Sequence, residues 1–198
     1  MADPPIDPRP TDPTGLVAAL DSGAAPASAS KRRREPEICG DLDMRIARDG
    51  TWFYHGSPFG RKPLVKLFAS VLIRDEDGVH WLVTPVEKGR VAVDDAPFVA
   101  VALTVEGEGR EQVLRFRTNL DDEVIADADH RIRVEIDPEN GEPAPYVRVR
   151  GRLDALIARS VFYDLVALGV EREVAGETRF GVWSGGRFFV IGTLDAAS

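Results

Sequence analysis

Apolar and polar positions alternate along most of this chain, and the places where the period changes mark its helices. Ile132, Val134 and Ile136 alternate with Arg131, Arg133 and Glu135, which predicts a strand with one buried face. The same period of two runs through residues 45–48 and 51–55, with Asp49-Gly50 between them, and resumes at residues 79–83 after Asp77-Gly78. Both arrangements predict hairpins with tight turns. Between them, Gly56, Ser57, Pro58 and Gly60 break the strand and predict a turn into a helix. Leu64, Leu67, Phe68, Val71 and Leu72 then recur at steps of three and four, the apolar stripe of a short helix.

A longer helix is predicted from Leu153, Leu156, Ile157, Val161, Leu165 and Leu168, stopped by Gly169 at the C-terminal capping position. Closing strands are predicted at 170–174, 178–183 and 187–191, turning at Ala175-Gly176 and Gly185-Gly186. Pro85 interrupts the earlier pairing, and Glu87-Lys88-Gly89 is read as a turn into 90–93. Residues 98–105 are apolar at nearly every position, which predicts a strand covered on both faces where the two halves of the chain meet.

Hairpin, helix, hairpin therefore occurs twice, and an internal duplication accounts for the repeat. The predicted fold class is α+β: two tandem repeats, each an antiparallel β-sheet with one packed helix. The repeats are assigned to residues 37–97 and 98–198. Residues 1–36 hold seven of the fourteen prolines and almost no large apolar side chains, a composition that predicts a disordered N-terminal tail.

Charge narrows the partners. The net charge is −8, and basic and acidic side chains cancel within residues 1–36, so the whole excess belongs to the body. An acidic body opposes non-specific binding to nucleic acid and to anionic lipid. No run of apolar residues is long enough to span a membrane, and a single cysteine, Cys39, fits a reducing cytoplasmic compartment. The basic run from Lys31 to Arg34 lies beside Glu35 and Glu37, and a solvated junction is the plainer reading.

Candidate chemistry is sparse. His55, His80 and His130 fall on different predicted elements, and Cys39 has no partner at ligand spacing, so no metal site is predicted. Gly181-Val182-Trp183-Ser184-Gly185-Gly186 lacks the glycine two positions before serine that a nucleophile elbow needs; a tight hairpin explains its glycines better. No phosphate loop, catalytic residue or cofactor motif is found. Arg131 and Arg133, Arg148 and Arg150, and Arg115 and Arg117 each share a strand face. Two readings stand: cross-strand ion pairs with Glu135, Glu171, Glu173 and Glu177, or a basic ladder that meets an anion.

Several ordered pieces carry a family resemblance: residues 39–46 (CGDLDMRI), Asp49-Gly50-Thr51-Trp52, residues 56–61 (GSPFGR), residues 64–68 (LVKLF) and residues 84–88 (TPVEK). Asp95-Ala96-Pro97-Phe98, Phe116-Arg117-Thr118-Asn119, Asp129-His130, Pro145-Tyr146-Val147 and Gly181-Val182-Trp183-Ser184 continue it. The chain resembles the proteobacterial domain of unknown function 1285 family from Glu37 to Gly192, departing from its pattern at Phe59 and Arg131. The resemblance implies two subdomains built by duplication and a pleckstrin-homology-like C-terminal half. It also implies a site for a nucleotide-like ligand at the subdomain interface, and a part in signalling.

The combined reading is a non-catalytic cytoplasmic module that binds a small anionic or nucleotide-like molecule between its subdomains. The candidate ligand-binding residues are Trp52, Glu87, Lys88, Asp94, Asp95, Thr118, Asn119, His130, Arg133 and Arg148. Trp52 is assigned to stacking on a base, Thr118 and Asn119 to hydrogen bonds, and Lys88 and the arginines to anionic oxygens. A protein-interaction module using a sheet edge is the alternative, and a hydrolase of a phosphorylated compound the next. Because residues 1–36 contain no predicted core residue, their deletion should leave Tm unchanged in calorimetry; a loss of several degrees would show that the tail docks on the body.

Overall fold

The alternating runs do form strands, and the computed structural model, which describes residues 37–137 and 141–193, arranges them in three sheets with two helices. The first sheet contains β1 (Glu37–Ile46), β2 (Trp52–Tyr54), β3 (Ser57–Phe59), β4 (Leu72–Arg74), β5 (His80–Val83) and β6 (Glu87–Val93), in the order β3-β2-β1-β6-β5-β4. Helix α1 (Lys62–Ser70) joins β3 to β4. The second sheet contains β7 (Phe98–Glu106), β8 (Val113–Thr118), β9 (Glu123–Ile125), β10 (Ile132–Ile136), β11 (Pro143–Arg150) and β12 (Leu153–Ile157), in the order β10-β11-β12-β7-β8-β9. Helix α2 (Arg159–Ala167) then leads to a third sheet of β13 (Val170–Val174), β14 (Glu177–Ser184) and β15 (Arg187–Thr193).

The two-subdomain α+β arrangement expected from the sequence is present. Each six-stranded sheet is two three-stranded meanders, and the meanders join through one parallel pair, β1 with β6 and β12 with β7. The sheets are therefore mixed rather than purely antiparallel. Because β1 and β6 run the same way, β3 and β4 do too, and such strands need a crossover, which α1 supplies. Meander, helix, meander recurs as β10–β12, α2 and β13–β15, with β15 alongside β10.

Three local predictions change at turns. The β1–β2 connection is not a two-residue turn: Ile46 pairs with Trp52, and residues 47–51 form a longer loop in which the Asp49 carboxylate accepts the Thr51 N–H at 2.8 Å. The tight turn is His55-Gly56, both at positive φ, so Ser57-Pro58 lies in β3, an edge strand that tolerates a proline. Glu87 and Lys88 belong to β6, and the turn falls at Pro85-Val86, where the Thr84 N–H donates to the Glu87 carbonyl at 2.8 Å.

The second predicted helix is the largest difference. Residues 153–157 form strand β12, and only Arg159–Ala167 is helical. β12 lies between β11 and β7, and four of its five successive residues are buried, so both its faces are covered. Apolar residues on both faces imitate a helical stripe when read by spacing alone. Conversely, β7 is covered on both faces only over Phe98, Val99 and Ala100, while Val101 and Val105 are exposed.

One core runs through all three sheets, from Ile46, Trp52, Phe68 and Leu82 to Phe98, Leu114, Phe116, Ile157, Leu165 and Val182. In α1 the buried residues are Val65, Phe68 and Ala69; Leu64 and Leu67 are half-buried, because Phe68 is the side chain that packs against Trp52 and Phe59. Among the described residues no helix is long and apolar enough to cross a membrane. Leu165→Ala, at a fully buried position, should cost about 2–5 kcal/mol in denaturant melts. Leu67→Ala should cost distinctly less, and equal costs would contradict this helix register.

Candidate functional site

Asp154 organises the face that the two subdomains share. It stands on β12 with its side chain only 6% exposed, and a carboxylate so removed from water needs charged partners. The β10–β11–β12 register supplies them: Arg133 lies opposite Tyr146, and Arg148 lies opposite Asp154. Arg133 Nη2 donates to Asp154 Oδ2 at 2.9 Å, and Arg148 Nε donates to Oδ1. Arg148 Nη1 also donates to the Gly151 carbonyl at 2.7 Å, bracing the β11–β12 turn.

The Arg133 guanidinium lies 4.2 Å over the Tyr146 ring. The Tyr146 hydroxyl donates to Asp95 Oδ1 at 2.7 Å, and Asp95 Oδ2 pairs with Arg48 Nε at 3.1 Å. Burial, and then the bond to Asp95, push the Tyr146 pKa up to about 12, so the phenol stays a donor. The first sheet adds Arg74 at the end of β4 and, opposite it, His80 at the start of β5. Arg152 reaches in from the β11–β12 turn.

Together Arg74, His80, Asp95, Arg133, Glu135, Tyr146, Arg152 and Asp154 line a cleft of about 160 Å³. Its carboxylates are already engaged: Asp154 with two arginines, Glu135 with Arg133, and Asp95 with Arg48 and Tyr146. Among the described residues Arg74 donates only to the Gly78 carbonyl, at 3.2 Å, and Arg152 pairs with the highly exposed Glu76 at 2.9 Å. Those two guanidinium groups are the cleft's cations without a buried carboxylate partner among the described residues, Arg152 being paired only with an exposed one. His80, 9% exposed, is pushed down to about pKa 4 by burial, with the Arg74 charge adding to the effect, so it is a neutral imidazole at pH 7. A larger hollow of about 370 Å³, lined by Pro143, Pro145, Leu156 and Phe162, has its two arginines held: Arg48 by Asp95 and Arg159 by the Tyr163 hydroxyl.

Of the residues singled out from sequence, Asp95 and Arg133 line the cleft, and Arg148 stands behind it on Asp154. The others are placed elsewhere or used structurally. Asp94 pairs with Arg45 at 2.5 Å. Glu87 opens strand β6, and Lys88 lies 4.1 Å over the Trp81 ring. Trp52 is 1% exposed and packs against Phe59 and Phe68, so it offers no face to a base; its Nε1 is buried without a partner.

Thr118 is fully buried, and its Oγ1 accepts the N–H groups of Leu120 and Asp122 to shape a turn. Asn119 exchanges bonds with the Val99 backbone, Oδ1 accepting at 3.1 Å and N–H donating at 2.8 Å. Gly50, at φ +82, packs on that amide, and a Cβ there would strike it, so this glycine lets the β1–β2 loop meet the second sheet. His130 bonds Asp127 within its own loop at 3.0 Å.

Arg74, His80, Tyr146, Arg152 and Asp154 were missed. The signal for three of them lay in the Gly151-Arg152 turn: read as a hairpin, residues 146–156 place Asp154 opposite Arg148. Ser184 is also accounted for. It is fully buried, its Oγ accepting the Leu114 N–H at 3.0 Å and donating to the Ala126 carbonyl at 2.7 Å, which ties the third sheet to the second. Among the described residues no group of three or more His, Cys, Asp or Glu is placed to hold a metal ion.

Fold and cleft define a tandem β-subdomain protein with a polar hollow between its sheets. The chain belongs to the DUF1285 family: residues 32–96 match its N-terminal domain, described as a domain of unknown function, and residues 97–191 match its C-terminal domain, described as a protein of unknown function. It is similar to the crystal structure of a DUF1285 family protein from Silicibacter pomeroyi DSS-3, with a TM-score of 0.77 and 49% identity over 91% of this chain and 96% of that one. A DUF1285 family protein from Shewanella baltica OS155 matches with a TM-score of 0.48 and 26% identity, over 63% of this chain and 90% of that one. No curated protein matches the chain.

The lowered pKa of His80 makes stability depend on pH. Above pH 6.5 both folded and unfolded imidazoles are neutral and the contribution is fully present; as pH falls toward about 4 the unfolded one takes a proton that the folded one refuses. Up to about 3 kcal/mol is lost across that window. Urea melts of His80→Gln should show a shallower fall there than the parent, and parallel curves would mean that His80 protonates freely in the folded state.

Proposed function

We propose that the cleft binds a small anion, or the anionic end of a larger ligand, and that the protein acts as a non-catalytic cytoplasmic binding module in signalling or regulation. The observation that carries the reading is the convergence of Arg74, Arg133, Arg152 and the buried His80 on one hollow whose carboxylates are otherwise engaged. Guanidinium groups present paired donors to phosphate and carboxylate oxygens, and a neutral imidazole adds one more. Clefts between subdomains are where small-molecule sites concentrate.

The volume narrows the ligand. About 160 Å³ suits a phosphoryl or carboxylate group, whereas sites for whole drug-sized molecules run to roughly 300–1,000 Å³. With Trp52 buried, a nucleotide-like ligand would enter by its phosphate and keep its base outside the cleft. The cytoplasmic placement rests on the single cysteine.

Thermal-shift measurements with inorganic phosphate, pyrophosphate, nucleoside monophosphates and dicarboxylates test this. An anion at a hundredfold its dissociation constant should stabilise the fold by about 2.7 kcal/mol. Arg74→Ala and Arg152→Ala should each weaken that anion roughly tenfold or more, while Arg115→Ala, whose charge is spent on Glu106 and Glu123, should not. Equal weakening by all three would reduce the effect to bulk charge, and turnover of a phosphorylated hit would replace the binding module with a hydrolase.

A further inference from the structure

The outward face of the third sheet carries two guanidinium groups, Arg110 and Arg172, that no carboxylate among the described residues answers, whereas Arg179 beside them pairs with Glu177. The strand register places Val170, Arg172 and Val174 on the side of Glu177, Arg179, Gly181 and Trp183, with Phe188 opposite Trp183. Arg172 lies 4.8 Å over the Trp183 ring and 5.4 Å over Phe188, and Arg110, from the 3-10 turn before β8, lies 4.5 Å over Trp183. Gly181 permits the stack, because a Cβ there would run into the Phe188 ring and the Phe189 carbonyl. Among the described residues neither Arg110 nor Arg172 is paired with a carboxylate. A guanidinium stacked on a ring keeps its N–H edge free for one.

Strand β13 is the open edge of this sheet. Among the described residues it pairs only with β14, and all five of its residues are exposed, including Val170 at 43% and Val174 at 37%. Such an edge is a template for another strand. The β13 sequence, Val-Glu-Arg-Glu-Val, reads the same in both directions. In an antiparallel pair of two copies centred on Arg172, Arg172 would face itself and Glu171 would face Glu173, and like charges directly opposite are destabilising. The edge is thus guarded against a second copy, and the same charges specify a complement.

We propose that β13 is a docking edge for an extended segment of a partner protein, one with an acidic residue opposite Arg172, basic residues opposite Glu171 and Glu173, and apolar residues opposite Val170 and Val174. The acidic side chain meets the free edge of the stacked Arg172 guanidinium, and the partner backbone bonds to β13 as a fourth strand. No residue of this surface lines the anion cleft, so the two readings stand or fall separately.

Fluorescence anisotropy with the full chain and a labelled peptide carrying Val-Lys-Asp-Lys-Val at its centre tests the proposal. Saturable binding is expected, about tenfold or more weaker for the like-charged Val-Glu-Arg-Glu-Val peptide. It should be lost when the backbone nitrogens on the peptide's pairing edge are methylated. Arg172→Glu, checked for an unchanged melting temperature, should reject the first peptide and accept one with lysine at the central position; Arg172→Ala should weaken both preferences. The proposal is overturned by absence of binding, by equal affinity for the first two peptides, by binding that survives methylation or ignores Arg172→Glu, or by a dimer that pairs through β13.

Discussion

A carboxylate held almost out of water, Asp154, is the constraint on which the shared face depends. Its desolvation is costly unless its oxygens are met by charge, and Arg133 and Arg148 meet one each. Neither arginine is free to go elsewhere. Arg148 is fixed on the Gly151 carbonyl, and Arg133 on the ring of Tyr146, whose hydroxyl is fixed on Asp95. Asp95 is in turn paired with Arg48 in the β1–β2 loop. The network therefore runs unbroken from the heart of the second sheet to the first, and such networks hold their members in one arrangement when every member is satisfied. Removing Asp154 would leave the half-buried Arg133 and Arg148 guanidinium groups on adjacent strands without the carboxylate they share, a larger loss than the bonds alone.

Other contacts between the subdomains are individually weaker. Arg150 donates to the Ala69 carbonyl at 2.6 Å, placing a cation at the C-terminal end of α1, where the helix dipole favours one. Lys62 and Lys66 both reach Asp121, at 2.7 and 2.8 Å, and hold its pKa down to about 2. These pairs are largely solvated, so screening leaves little of their Coulomb energy. What they add is direction: each fixes α1 against the turn at the end of β8, while the core supplies the stability.

Much of this is legible in the sequence, and the differences have two causes. The closing strands β13–β15 were placed almost residue for residue, because alternation and glycine turns both mark them. The duplication was visible in the order of elements. What alternation cannot show is a strand covered on both faces, and β12 is one; read as helix, it hid Asp154 and with it the purpose of Arg133 and Arg148. Spacing alone offers the arginines glutamate partners, and Arg133 does pair with Glu135; the carboxylate that Arg133 and Arg148 share, Asp154, lies in the segment whose spacing reads as helix. Trp52, Thr118 and Asn119 failed differently. Polar or aromatic residues beside turns are as often structural as functional, and only burial separates the two roles.

The cleft shows why net charge and local charge must be argued separately. A chain of net charge −8 repels anions at long range, yet the field inside the cleft is set by groups a few ångströms apart. Its acids are spent on partners within the protein, Asp154 and Asp95 most completely, so they add little to the potential that an entering anion meets. Arg74 and Arg152 are left with a backbone carbonyl and an exposed glutamate, both of which an incoming phosphoryl or carboxylate group can replace as acceptors. On the proposed anion-binding reading, selectivity would come from size and from the neutral state of His80. A protonated imidazole would make the cleft a general anion trap; a neutral one offers a single directed N–H and favours a ligand whose oxygen lies where that bond can form.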